Sequence, residues 1–450
     1  MTAKTTRDAT DVGRLIDGGG CGAAQVLWVA LAALTIVFDG IDNQLLGVAI
    51  PSLMADWKVA RPAFAPVVAL GFLGMMIGGL VAGAAGDRVG RKAALLGSVV
   101  VFGAATLAVA FASSVGALGA LRLLAGVGLG GAMPNAAALA AEYVPLRQRA
   151  LAVTLTIVCV PLGGTLAGLI AIPALPAFGW RGVFLAGGVV PIVAAALLWR
   201  LMPESPRFLA RRPERADELR RVLARMGHAV PADASFVGEA ESTAGRAPLA
   251  ALFERSYLRD TMALWFAFFS CLLAVYMGFS WIPSILSGAG LGPAVASTGV
   301  TVFNLGGVAG AVAGGVLIRR MGSRVTMLAM TLVAVAGAAT LGGMAIGAEA
   351  PVLPILLMLT LTGAMINAVQ TTMYALAAHV YPTSVRATGV GTAVSVGRSG
   401  AIVSGYAGPW ALDIRGSAGF FAVMAVSLVV TGAALALVRR HVPPPDAARS

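Results

Sequence analysis

Apolar stretches long enough to cross a bilayer recur along this chain, parted by short polar breaks. A spanning helix needs about twenty such residues. They predict helices at about 24–51, 63–85, 93–113, 115–141, 149–173, 181–201, 258–286, 296–318, 325–346, 352–378, 387–411 and 417–438. These fall into two sets of six, an N-terminal bundle over 24–201 and a C-terminal bundle over 258–440. Residues 1–23 and 441–450 read as polar tails, and 202–257 as a hydrophilic linker. The linker opens with Pro203-Glu204-Ser205-Pro206-Arg207 and continues in a charged, helix-forming patch from Arg211 to Arg225. It is too short for an independent catalytic domain. Many of the apolar segments are rich in Gly and Ala, which lets helices approach closely in lipid.

Composition agrees with this reading. The 450 residues are 58% hydrophobic and 12% charged, whereas soluble domains carry about a quarter charged residues. Mean hydropathy is +0.87. The net charge of +12 invites a nucleic-acid reading, but the placement of the basic residues excludes it. With both termini inside, the inner segments hold Lys4, Arg7, Arg14, Arg88, Arg91, Lys92, Arg147, Arg149, Arg319, Arg320, Arg324, Arg386, Arg439, Arg440, Arg449 and the linker arginines. The outer loops hold only Lys58, Arg61, Arg181 and Arg415. This asymmetry predicts cytoplasmic termini in a multi-pass cytoplasmic-membrane protein. Cys21, Cys159 and Cys271 have no paired spacing, and His228, His379 and His441 are scattered. Neither a disulfide framework nor a metal set is expected. There is no Gly-x-x-x-x-Gly-Lys-Ser/Thr loop for a nucleotide. No cofactor and no enzymatic activity are expected. The first twenty residues lack a signal-peptide layout, so the first helix is expected to be retained.

Two carboxylates interrupt the first span, Asp39 and Asp42. A charge at a helix centre costs about 2.5–3.5 kcal/mol on insertion scales, and such residues are generally functional. Spacing i, i+3 places both toward one face. Burial disfavours the charged form, so a carboxyl there can exchange a proton near neutral pH. The pair is expected to carry protons as a coupled unit; the alternative is a static pair capping a polar cavity or holding a basic residue.

The halves repeat. Gly83-x-x-x-Asp87-Arg88-x-Gly90-Arg91-Lys92 follows helix 2, and Gly315-x-x-x-Arg319-Arg320-x-Gly322-Ser323-Arg324 follows helix 8. The segment 140–150 aligns without a gap to 377–387, sharing both alanines, the proline, an arginine and the alanine after it. Parallel six-helix repeats around a midplane site are a transporter architecture. The Gly83–Lys92 run resembles the loop motif of the major facilitator superfamily in full. Asp39-Gly-x-Asp42, the stretch from Arg122 through Gly126, Gly128 and Gly130 to Asn135 and Glu142, the run Tyr374–Gly389, and Gly391 to Gly397-Arg398 are similar to the aromatic acid:H+ symporter family. The resemblance spans nearly the whole chain. It implies an all-α membrane protein with twelve transmembrane helices in two pseudo-symmetric six-helix bundles. It implies import of a small aromatic carboxylate with protons; a monomer is expected. The pattern departs at Arg319, where the repeat would offer an acid, which puts a symmetric latch on the C-terminal half in doubt.

Several residues take expected roles. Arg398, about 18 Å along helix 11, has a guanidinium fork suited to a carboxylate. It is expected to bind the substrate's carboxylate or to serve as counter-ion to helix 1. Arg122, nearer the outer end of helix 4, is either a substrate or coupling residue or a brace between helices 1 and 4. Asn135, Asn304, Asn367 and Gln370 are expected to face the central cavity, with interhelical hydrogen bonding as the alternative. Phe38, Tyr276, Trp281 and Tyr374 are candidates for stacking on a ring. Asp87, Arg88, Arg91, Glu142, Arg149 and Arg386 sit at inner helix ends and are expected to form a cytoplasmic gate. The competing readings are an efflux antiporter and a sugar or polyol porter, the latter raised by Pro203–Arg207.

Overall fold

A computed structural model describes residues 10–228, 230–231, 236–237 and 249–444. Residues 1–9 and 445–450 of the expected tails, and 229, 232–235 and 238–248 of the linker, lie outside the described residues. Ten continuous helices are long and apolar enough to cross a membrane. Two of them, Leu146–Leu201 with 56 residues and Thr383–Leu437 with 55, are each about 80 Å long at about 1.5 Å per residue. That is more than twice the roughly 30 Å hydrocarbon core. Each is broken once, at Gly179 (φ 65°) and at Arg415–Gly416 (φ −142° and 59°). The described chain is therefore a twelve-span helical bundle.

The spans are α1 (Ala23–Trp57), α2 (Ala65–Val89), α3 (Arg91–Val109), α4 (Val115–Tyr143), α5 (146–178), α6 (180–201), α7 (Leu258–Gly288), α8 (Pro293–Met321), α9 (Ser323–Gly343), α10 (Val352–Val380), α11 (383–414) and α12 (417–437). The loops expected at 174–180 and 412–416 shrink to these single breaks. Helix is favoured up to the break because lipid offers no other partner for backbone N–H and C=O groups. A positive φ at Gly179 and Gly416 turns the chain where a Cβ would be strained. Helix α3 stops at Val109, short of the expected 113, and α1 runs on through Pro51 to Trp57.

Helices pair in the same way in both halves: α1 lies on α5 and α2 on α4, as α7 lies on α11 and α8 on α10. The pairs meet at glycines. A Cβ on Gly40 would strike the Val160 carbonyl and Gly163 of α5. One on Gly74 would strike the Leu123 carbonyl of α4, and one on Gly306 the Thr360 carbonyl of α10. The halves touch where Gly164 and Gly168 of α5 meet Asn304 and Thr301 of α8, and where Gly405 of α11 meets Ala65 and Ala69 of α2. Arg61 also donates to the Ser284 carbonyl at 3.4 Å. These contacts lie toward the end of the bundle away from the basic loops.

At the basic end, each half's loop is held by the segment after its sixth helix. Glu204 accepts the Lys92 N–H at 2.9 Å. Ser323 N–H donates to the Val442 carbonyl at 2.9 Å, and Val442 N–H donates back to Ser323 Oγ at 2.8 Å. Burial in this joint holds the His441 imidazole below its usual range. Residues 10–17 are not a free tail. Thr10–Asp11 pairs in parallel with Phe236–Val237 of the linker, and in the short helix Val12–Asp17 the side chains of Val12 and Ile16 are buried.

The glycine contacts generate a test. Gly40→Ala adds a methyl group where backbone already sits, a cost of about 1–3 kcal/mol for overpacking. Gly97→Ala on α3 meets nothing within 4 Å and gains helix propensity of up to about 1 kcal/mol. In detergent, the melting temperature of Gly40→Ala should fall by several degrees and that of Gly97→Ala should hold or rise. Equal shifts would show that the α1–α5 contact is not tight.

Candidate functional site

Helix α1 presents its two carboxylates to different surroundings. Asp42 turns into the N-terminal half. Arg122 Nη1 of α4 donates to its Oδ2 at 2.9 Å, and the two side chains are 1% and 5% exposed. Arg122 Nη2 reaches the Asp42 backbone carbonyl at 3.5 Å, and the Thr106 hydroxyl of α3 donates to Asp42 Oδ1. The carboxylate is thus met by charge on one oxygen and by a hydroxyl on the other, the condition under which a buried ion pair is tolerable. Arg122 here braces α1 to α4 and is absent from the lining of the central cavity.

Asp39, midway along the 35-residue α1, faces that cavity. It lies between the halves, lined from both of them. Asp39 Oδ1 is buried without a hydrogen-bond partner. Across the cavity stands Arg398 of α11, half-buried, with no hydrogen bond or ion pair among the described residues. Two opposite, unpaired groups from opposite halves therefore share one space. Tyr276 of α7 and Tyr374 of α10 form part of its aromatic wall. Tyr276 lies 4.5 Å from Phe72 and Tyr374 5.4 Å from Phe268 between ring centroids. Neither phenol hydroxyl is hydrogen-bonded among the described residues. Asn367 and Gln370 of α10 also line the cavity, Asn367 donating to the Gly363 carbonyl at 2.9 Å.

Other expected cavity residues sit elsewhere. Asn135 Nδ2 donates to the Ala82 carbonyl at 3.1 Å and to the Gly131 carbonyl at 2.9 Å, tying α4 to α2. Its place about two turns before the basic end of α4, against Gly86, keeps it out of the cavity. Asn304 lies against Gly164 in the α5–α8 contact, and Trp281 Nε1 donates to the Ser404 carbonyl at 3.1 Å. Phe38 is absent from the cavity lining. Asn43 was not singled out as a site residue, yet it lines the cavity one turn beyond Asp39. The i, i+4 spacing from Asp39 was the available signal.

Three of the expected gate residues come together. Arg91 pairs with Asp87 and lies 3.9 Å from Glu142, which accepts from the Ser205 hydroxyl. The others are apart. The Arg88 carbonyl accepts from Arg212 at 2.9 Å, and Arg149 pairs with Asp17 at 2.5 Å. Arg386, exposed in the other half, donates to the Tyr381 carbonyl at 3.3 Å. The cluster thus belongs to the N-terminal half and its linker, because Ser205 and Glu204 reach it first.

Two repeated six-helix halves around a polar, aromatic-walled cavity define a membrane transporter. A family model described as Major Facilitator Superfamily matches residues 32–405 and 290–450. A gallate transporter of Pseudomonas putida is 38% identical over 405 residues, covering 90% of this chain and 89% of its own. The 4-hydroxybenzoate transporter PcaK of the same organism is 36% identical over 392 residues, 86% of each chain. The fold is similar to the partially occluded, inward-open xylose transporter XylE of E. coli, with TM-score 0.71 at 17% identity over 92% of this chain and 97% of that one. The chain belongs to the major facilitator superfamily and, within it, to the aromatic acid:H+ symporter family. Members of that superfamily are multi-pass membrane transporters, not enzymes.

The two arginines should behave oppositely in stability. Arg122→Gln strands a buried carboxylate, a loss of about 3–5 kcal/mol, whereas Arg398→Gln removes a charge that makes no direct ion pair among the described residues. Melting curves in detergent should show a large fall for the first and little or none for the second. A fall of equal size in both would assign Arg398 a structural pairing.

Proposed function

We propose that this protein imports a small aromatic carboxylate together with protons, by alternating access, across the cytoplasmic membrane of a bacterium, with both termini in the cytoplasm. The observation that carries the reading is the unpaired Arg398 facing the unpaired Asp39 across one aromatic-walled cavity. A charged Asp39 competes with a substrate carboxylate for the Arg398 guanidinium. A protonated Asp39 releases it, so proton and anion are loaded together. Release of the proton on the other side restores the competition and expels the anion. Oxidation states do not change, and no cofactor takes part.

Asp42, held by Arg122 and Thr106, supports this cycle by fixing α1. Tyr276, Asn367 and Gln370 contact the ring and its substituents. The substrate class is supported by the relatives that transport gallate and 4-hydroxybenzoate. Orientation is supported by the basic loops, which favour the cytoplasm. The cluster of Asp87, Arg91 and Glu142 then lies at the cytoplasmic face, where it is placed to help hold the halves when that face closes; Arg88, Arg149 and Arg386 lie at the same end of the bundle but outside the cluster. The cavity is complete within one chain, which supports a monomeric working unit.

Proteoliposomes test this. With an inward proton gradient, wild-type protein should concentrate labelled 4-hydroxybenzoate or gallate. Asp39→Asn should lose uphill accumulation yet retain exchange of labelled for unlabelled substrate. Arg398→Gln should raise the half-saturating concentration about tenfold or more, the scale of one charge-assisted hydrogen bond. Undiminished accumulation by Asp39→Asn would remove the carboxyl from coupling. Accumulation driven only by an outward gradient would make the protein an antiporter.

A further inference from the structure

A second, much smaller cavity, with room for about one water-sized group, adjoins the first on the side of the closed inter-half contacts. Asn43, Met75 and Leu129 line both, so the two are contiguous. The remaining wall brings Arg122, Gly71 and Phe72 from the N-terminal half against Ser280 from α7 of the other half. Helices α1 and α7 come together there because Gly47 rests against the backbone of Phe279 and Ser280.

The polar groups around this space are unspent. Arg122 Nε is buried with no hydrogen-bond partner, and Gly71 leaves the space beside it open. Asn43 makes no side-chain hydrogen bond among the described residues. Neither does Ser280, although Thr165, Ser270, Thr301 and Thr372 all donate to the carbonyl four residues back in their own helices. Unlike Arg398, the guanidinium here is already neutralised by Asp42. A site of one compensated cation, an amide and a hydroxyl does not call for a second anion. It fits a neutral group that both donates and accepts.

We propose that this second cavity is a subsite for the ring hydroxyl of the substrate, with Asn43 and Ser280 as its specificity-determining residues and the carboxylate directed to Arg398. The assignment rests on the reading of the protein as an aromatic-carboxylate transporter. It gives the selection of hydroxylated acids a physical basis. A buried site built to hydrogen-bond a hydroxyl is left with unpaired groups by an analogue that lacks one. Because Asn43 and Ser280 belong to opposite halves, the subsite is assembled and dismantled as the halves move.

The test compares benzoate with 4-hydroxybenzoate, which differ by that one hydroxyl, as competitors of a labelled substrate in proteoliposomes and as stabilisers of the detergent-solubilised protein against heat. Ser280→Ala should raise the half-saturating concentration of 4-hydroxybenzoate about three- to tenfold, the size of one neutral hydrogen bond, and leave that of benzoate unchanged. Asn43→Leu, similar in volume, should narrow the preference for 4-hydroxybenzoate by at least as much. If both variants keep the wild-type ratio between the two acids, or weaken both acids equally, the subsite is refuted while the transport reading stands. If wild-type protein neither carries nor is stabilised by either acid, the transport reading falls and the subsite with it.

Discussion

A charge inside a lipid-solvated bundle must be answered by another charge, by hydrogen bonds, or by a task. The Asp42–Arg122 pair is the answered case. Thr106 completes the carboxylate's shell, and the three residues tie α1, α3 and α4 into one body. That body then holds Asp39, one turn away, in a place where no hydrogen bond or direct ion pair meets it. The contrast between a satisfied and an unsatisfied carboxyl on the same helix organises the site.

The second constraint is backbone approach. Glycines at Gly40 and Gly163, at Gly74 and Gly126, at Gly306 and Gly363, and at Gly400 allow each helix pair to meet backbone to backbone. Without a hydrophobic drive between helices in lipid, this contact supplies much of the association. The halves join each other over fewer contacts, away from the basic loops. Strong pairs within each half and a smaller seam between them suit the alternating access proposed above. The cavity sits on that seam, so its walls come from both sides: Asp39 and Leu129 from one half, Arg398 and Tyr374 from the other.

The basic end carries the repeat in a less expected form. The chain after α6 holds the α2–α3 loop through Glu204, and the chain after α12 holds the α8–α9 loop through Val442. The first uses a carboxylate and the second a backbone carbonyl. This matches the loss of the acid at Arg319 in the second loop motif. The run Pro203–Arg207, which invited comparison with sugar porters, acts here as a helix cap and loop tie, with Ser205 accepting the Phe208 N–H at 3.2 Å.

Much of the architecture was legible in the chain. Twelve apolar runs, the split at the linker and the repeated loop motif follow from local composition and periodicity, which lipid enforces strictly. The presence of Asp39, Asp42, Arg122 and Arg398 within those runs was equally plain, because charge there is rare. What each of them meets was not. Asp39 and Asp42 differ by only about 60° around one helix, yet one enters the cavity and the other an ion pair. Asp42 finds Thr106 and Arg122 64 and 80 residues away, and Asn135 and Asn304 are turned into helix contacts by glycines on neighbouring spans. Spacing along one helix specifies a direction, but the partner waiting in that direction is set by how distant segments pack, and only the assembled bundle contains that information.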